Sequence, residues 1–139
     1  MKIESEETCE YALIQALKDC KRTTRCLFAS KDLLISGNFD NKVNVYQLSL
    51  SPNESEKSES GVLLPKLELV KTFDIFDSFV YSVTFLPEKA WVAVGCKSGN
   101  IYVLGLDSDF MQILSSAHAK AVCSLSFHVQ ENESTFINL

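Results

Sequence analysis

Long apolar runs are missing from this 139-residue chain: none approaches the ~18 residues a membrane-spanning helix needs, so a helical span is excluded. Basic charge is also short. Thirteen Lys and Arg against 18 Asp and Glu leave a formal net charge of −5, whereas electrostatic binding of nucleic acid calls for a basic domain. The start, MKIESEETCE, does not have the charged-then-apolar layout of an export signal. No Cys-x-x-Cys pair occurs among the five cysteines at 9, 20, 26, 96 and 123, and the number is odd. They read as reduced, mostly buried thiols of a cytosolic or nuclear protein. The five glycines are scattered, so there is no phosphate-binding loop. Sustained i, i+3, i+4, i+7 spacing is absent too, which argues against an α/β design. What remains is a globular composition, 46% hydrophobic and 22% charged, at the length of one ordinary domain.

The residues that are present fall into short β-type runs separated by turn-forming clusters. These runs predict strands at 23–28, 33–36, 43–48, 67–73, 80–85, 91–94, 101–106, 111–114 and 122–127, with clear alternation over 43–48 and from Ile101. Tyr11 to Leu17 does not alternate cleanly; its place ahead of so many β-type runs makes a further strand the reading there, and 135–139 looks like one just starting. Residues 49–61, SLSPNESEKSESG, are rich in Ser and Glu and nearly free of apolar side chains. Such a stretch buries too little surface to offset its ordering entropy, so a solvated loop between two blades is expected.

Two internal registers order these runs. Val80 to Phe85 matches Val122 to Phe127 at a displacement of 42 residues, and Gly37 to Leu48 matches Gly95 to Leu106 at 58. The surplus of 16 is about the size of the Ser/Glu stretch with its flanks. A unit of about 40 to 45 residues built from four short strands is the signature of a WD-type β-propeller blade. Gly37 and Gly95 would sit where a side chain crowds a neighbouring strand. Asp40 would close the turn after Gly37 by accepting backbone hydrogen bonds, and Tyr46 takes the position usually held by Trp. Ser98 and Leu104 occupy those places in the next repeat, which has therefore lost its polar set. His118, after Ala117, fits the histidine that opens a blade; Cys20 and Phe76 stand at that position earlier.

The expected fold is thus all-β, a partial propeller of about three four-stranded blades with the last incomplete. The expected division is an acidic leader over 1–10, a first blade over 11–48, the insertion over 49–65, a second blade over 66–106 and the start of a third over 107–139. Repeat units do not bury their faces alone, so the sequence reads as the N-terminal part of a longer propeller or a truncated product.

Candidate chemistry is sparse. His118, Cys123 and His128 have a suggestive spacing, but a fourth ligand is lacking and the two histidines flank a segment about 30 Å long when extended. A nucleophilic Cys123 would need an orienting carboxylate and an oxyanion loop, and neither is recognisable. No enzyme activity, metal or cofactor is expected. Lys18, Lys21, Arg22 and Arg25 cluster before the first inner strand, on the face that carries the Asp40 and Ser98 turns. Lys21, Arg22, Arg25 and Asp40 form the candidate partner face.

Residues 100–127 narrow the match further. Asn100-Ile101, Leu106-Asp107-Ser108, Ile113-Leu114, His118 and Val122-Cys123-Ser124-Leu125-Ser126 resemble a blade junction of the phospholipase A-2-activating protein family. That resemblance implies a ubiquitin-binding propeller in a non-catalytic adaptor for ubiquitin-dependent degradation. In the family the AAA unfoldase is engaged by domains absent from this chain. Protein partners, with ubiquitin foremost, are therefore expected, and neither nucleic acid nor membrane. The alternative is a WD scaffold in another assembly, such as signalling or RNA processing.

Overall fold

The computed structural model describes residues 12–50 and 65–128. Eight strands form two four-stranded antiparallel sheets. The first holds β1 (Thr24–Ala29), β2 (Leu33–Asn38), β3 (Val43–Ser49) and β4 (Lys66–Phe73), in that order. The second repeats the meander with β5 (Val80–Leu86), β6 (Trp91–Cys96), β7 (Ile101–Gly105) and β8 (Met111–Leu114). Each strand follows a predicted alternating run to within a few residues, because the turn clusters at 30–32, 37–42, 87–90 and 97–100 break the ladder at the expected points.

Three expectations are corrected. Residues 12–17 form no strand and are exposed; what holds them is the Gln15 amide, whose Nε2 donates to the Leu67 carbonyl at 2.8 Å and whose Oε1 accepts from Leu67 N at 2.9 Å. A side chain here takes both bonds that a neighbouring strand would make. Residues 122–127 form no ladder either; Val122 N instead donates to the Cys96 carbonyl at 3.1 Å, tying this stretch to the preceding sheet. Third, the Ser/Glu stretch does not join two blades. Ser49 pairs with Lys66, so the connection runs between β3 and β4 of one sheet. The sequence repeat over 66–106 is therefore one strand out of phase with the sheet, its first strand being the outer strand of the sheet before. The expected disorder of 51–61, the leader at 1–10 and the late strand at 135–139 lie outside the described residues.

The core lies between the sheets. Ile35, Val43, Val45, Phe73 and Phe76 pack with Val80, Val83, Val92, Val94, Tyr102 and Leu104. β6 and β7 are buried along nearly their whole length, as strands covered on both faces must be, which explains their near-continuous apolar sequence. The two glycines set the spacing between layers. A Cβ at Gly37 would meet Cys26 Sγ and stand 2.5 Å from Val80 Cγ1; at Gly95 it would meet Ser82 Oγ and stand 2.7 Å from Val122 Cγ1. Val80 and Val122, the pair related by 42 residues, thus occupy the same place against successive sheets.

Candidate functional site

One end of the sheets gathers the segments entering β1 and β5 and the β2–β3 and β6–β7 turns. Their alignment is fixed by backbone bonds: Phe39 N donates to the Thr23 carbonyl and Lys97 N to the Phe79 carbonyl, both at 2.8 Å. The turns are built alike. Asn41 (φ 63°) and Gly99 (φ 89°) are the left-handed residues at equivalent positions, which is why Asn and Gly stand there.

The first strands of the two sheets share an irregularity. Thr24 pairs with Asn38 and Cys26 with Gly37, leaving Arg25 as an extra residue; Val80 pairs with Cys96 and Ser82 with Gly95, leaving Tyr81. A bulge re-aims the residue it leaves unpaired. Here the two bulged residues meet, Arg25 lying over the Tyr81 ring at 5.2 Å. Phe39 stacks on Phe79 at 4.5 Å and on Tyr81 at 5.5 Å. Arg22 at 5.6 Å and Lys97 at 5.3 Å lie over Phe79. Three half-buried rings thus carry three exposed cations. Beside them a shallow groove of about 240 Å³ is lined by Asn41, Asp77, Ser78, Phe79 and Lys97.

Of the candidate face, then, Arg22 and Arg25 come together on the rings. Lys21 is exposed and makes no ring or ion-pair contact among the described residues, and Asp40 is half-buried in the turn next to Phe39. Asp40 does not close that turn in the expected way, since its Oδ1 is buried without a hydrogen-bond partner, as is Asn41 Oδ1. The closure comes from Asn38, whose backbone N and Nδ2 both donate to the Lys42 carbonyl, at 3.1 and 3.2 Å. Sequence reasoning missed Phe39, Phe79 and Tyr81 as a group. Phe39 in a turn cluster was the available signal, because an aromatic at an exposed turn needs a partner surface.

The remaining structural positions divide. Tyr46 is buried and its hydroxyl donates to Asp19 Oδ2 at 2.9 Å; burial first, and then that carboxylate, push the phenol up to about 12. In the second sheet Leu104 is in the core, yet a polar cluster persists by another route. Tyr102, two residues earlier on the same face, donates to Asp77 Oδ1 at 3.4 Å, and Ser98 Oγ and Asn100 Nδ2 donate to the same carboxylate, each at 3.3 Å. Asp19 and Asp77 escape sequence reading because their tyrosines lie 27 and 25 residues away. His118 is exposed, and its contribution is backbone: its N–H donates to the Gly99 carbonyl at 3.2 Å. Cys123 and His128 are exposed as well, and among the described residues no three His, Cys, Asp or Glu side chains converge as a metal site.

Residues 67–103 match the family model described as WD domain, G-beta repeat, almost the same span as the second sequence repeat. The WD40 β-propeller domain of Doa1 superposes at a TM-score of 0.59 with 23% identity, covering 86% of this chain and 36% of that one. The chain therefore spans little more than a third of that propeller. A computationally designed protein, Ika4, aligns over 92% of this chain and 98% of its own at 13% identity and a TM-score of 0.43. No curated protein matches the sequence. Residues 67–103 thus carry a WD40-type repeat, and the two sheets have the fold of part of a WD40 β-propeller.

Proposed function

We propose that this WD40 protein-interaction module serves a non-catalytic adaptor that recognises ubiquitin in ubiquitin-dependent degradation, acting in the cytosol or nucleus. The observation that carries the choice of face is the cluster of Arg22, Arg25 and Lys97 over Phe39, Phe79 and Tyr81. Aromatic rings and arginines are among the residue types enriched at protein–protein contacts. The choice of ubiquitin rests on the resemblance of residues 100–127 to the phospholipase A-2-activating protein family. The likeness of fold to the Doa1 propeller supports the propeller part of that reading.

Titration of isotope-labelled ubiquitin with the full chain tests the reading. Saturable shifts of a contiguous set of ubiquitin amides are expected, and they should weaken when Phe79 is replaced by Ser. Spectra unchanged at saturating chain concentration would reject ubiquitin as the partner.

A further inference from the structure

The three cations of the patch share an unusual condition. Each is held over an aromatic ring, yet among the described residues none is paired with a carboxylate; the ion pair found there is Lys42–Asp74, at 3.9 Å. Asp77, lining the groove beside Lys97, is already engaged by Tyr102, Ser98 and Asn100. A cation ordered over a ring gives up less side-chain entropy when an anion arrives, and it keeps its charge available at the edge of the ring. Arginine adds a planar fork of donors that matches a carboxylate.

A long polyanion is a poor fit, because the overall charge is −5, Asp40 adjoins Phe39 in the chain and Asp77 lines the groove beside Phe79. What suits the geometry is a short anionic feature flanked by apolar groups.

We infer that the patch binds an acidic peptide segment of a partner protein, a Glu or Asp carboxylate seating against Arg22 and Lys97 while neighbouring apolar side chains lie on Phe79 and Tyr81. This inference rests on the reading of the chain as a protein-interaction module, but not on ubiquitin being the partner.

Fluorescence anisotropy on the full chain tests it with two labelled peptide pools, one with a fixed central Glu-Phe-Glu and one with Gln-Phe-Gln. The Glu pool is expected to bind about tenfold more tightly, and its affinity should fall several-fold between roughly 50 and roughly 200 mM salt. Arg22→Gln and Lys97→Gln, both at exposed positions, should each erase most of the difference between the pools, with Arg22→Lys intermediate. Lys89→Gln, at the opposite end over Trp91, should leave it intact. Equal binding of the pools would overturn the inference. So would losses as large in Lys89→Gln, or single-stranded DNA binding as tightly as the Glu pool. Ubiquitin titration of the same variants separates the two proposals. Peptide binding without ubiquitin binding rejects ubiquitin alone, whereas ubiquitin binding without discrimination between the pools rejects the acidic-segment inference alone.

Discussion

A Cβ at Gly99 would run into the His118 carbonyl oxygen, and φ at this residue is already +89°. At Gly95 the obstacles are the Ser82 and Val122 side chains, which have some freedom to shift. Gly95→Ala is expected to lower stability by about 1–3 kcal/mol, and Gly99→Ala by more, since backbone neither rotates away nor relieves the left-handed strain. Urea unfolding of the two variants checks the order. The thiols offer a second test. Burial pushes Cys96 up to about 12 and Cys26 to about 11, against an ordinary value of 9.0. The folded chain then keeps protons that the unfolded chain releases above pH 9. Stability from these two groups is complete below that pH and declines as pH rises through the folded values. Urea midpoints measured from pH 8 to 11 should fall, and Cys96→Ala should flatten the decline. At pH 8, mass-mapped alkylation should modify exposed Cys123 well before buried Cys96.

Single strands and turns show which elements were legible in sequence. Short β-type runs between turn clusters located β1 to β8. Alternation marks the half-buried strands, and near-continuous apolar sequence marks β6 and β7, which are covered on both faces. The β-type pattern failed at 122–127, and position ahead of the other runs failed at 12–17. Apolar residues are present in both, but no ladder is made. A strand needs a partner strand, and pairing is not a property of the segment. The segment entering β1 illustrates what replaces it: Gln15 on Leu67, then Asp19 accepting from Tyr46. Tyr46→Phe is expected to cost about 1 kcal/mol and to raise amide exchange through residues 15–20 more than elsewhere. Uniform change across the chain would show that the bond does not anchor this segment. Gly37 and Gly95 were readable from the repeat, since identical glycines in two copies of a strand end imply a shared close approach. The turn closure was not. Asp40 matched a familiar pattern, yet the carbonyl of Lys42 is bonded by Asn38.

Across the chain, stability depends on the contact between the two sheets. Val80 is fully buried against the Gly37 side of the first sheet and belongs to the shared core. Val80→Ala is expected to cost about 2 kcal/mol and to destabilise both sheets together. Exchange protection lost in β1 and β2 as well as in β5 and β6 would confirm this coupling. Loss confined to β5 and β6 would show that the sheets unfold separately.

The repeat of 42 and 58 residues was enough to reveal four-stranded units, because turn residues and two-residue alternation are local properties that each unit must restate. It could not show that β4 closes the sheet before it, since strand neighbours are decided by hydrogen-bond partners and not by order within a repeat. For the same reason the basic cluster at 21–25 was visible as charge, whereas its meaning was not. Two equivalent bulges turn Arg25 and Tyr81 toward each other, and the turns of successive sheets bring Phe39 and Lys97 to Phe79. Residues from four separate segments become one surface only when the sheets pack, which is why composition supplied the charges and tertiary structure supplied the site.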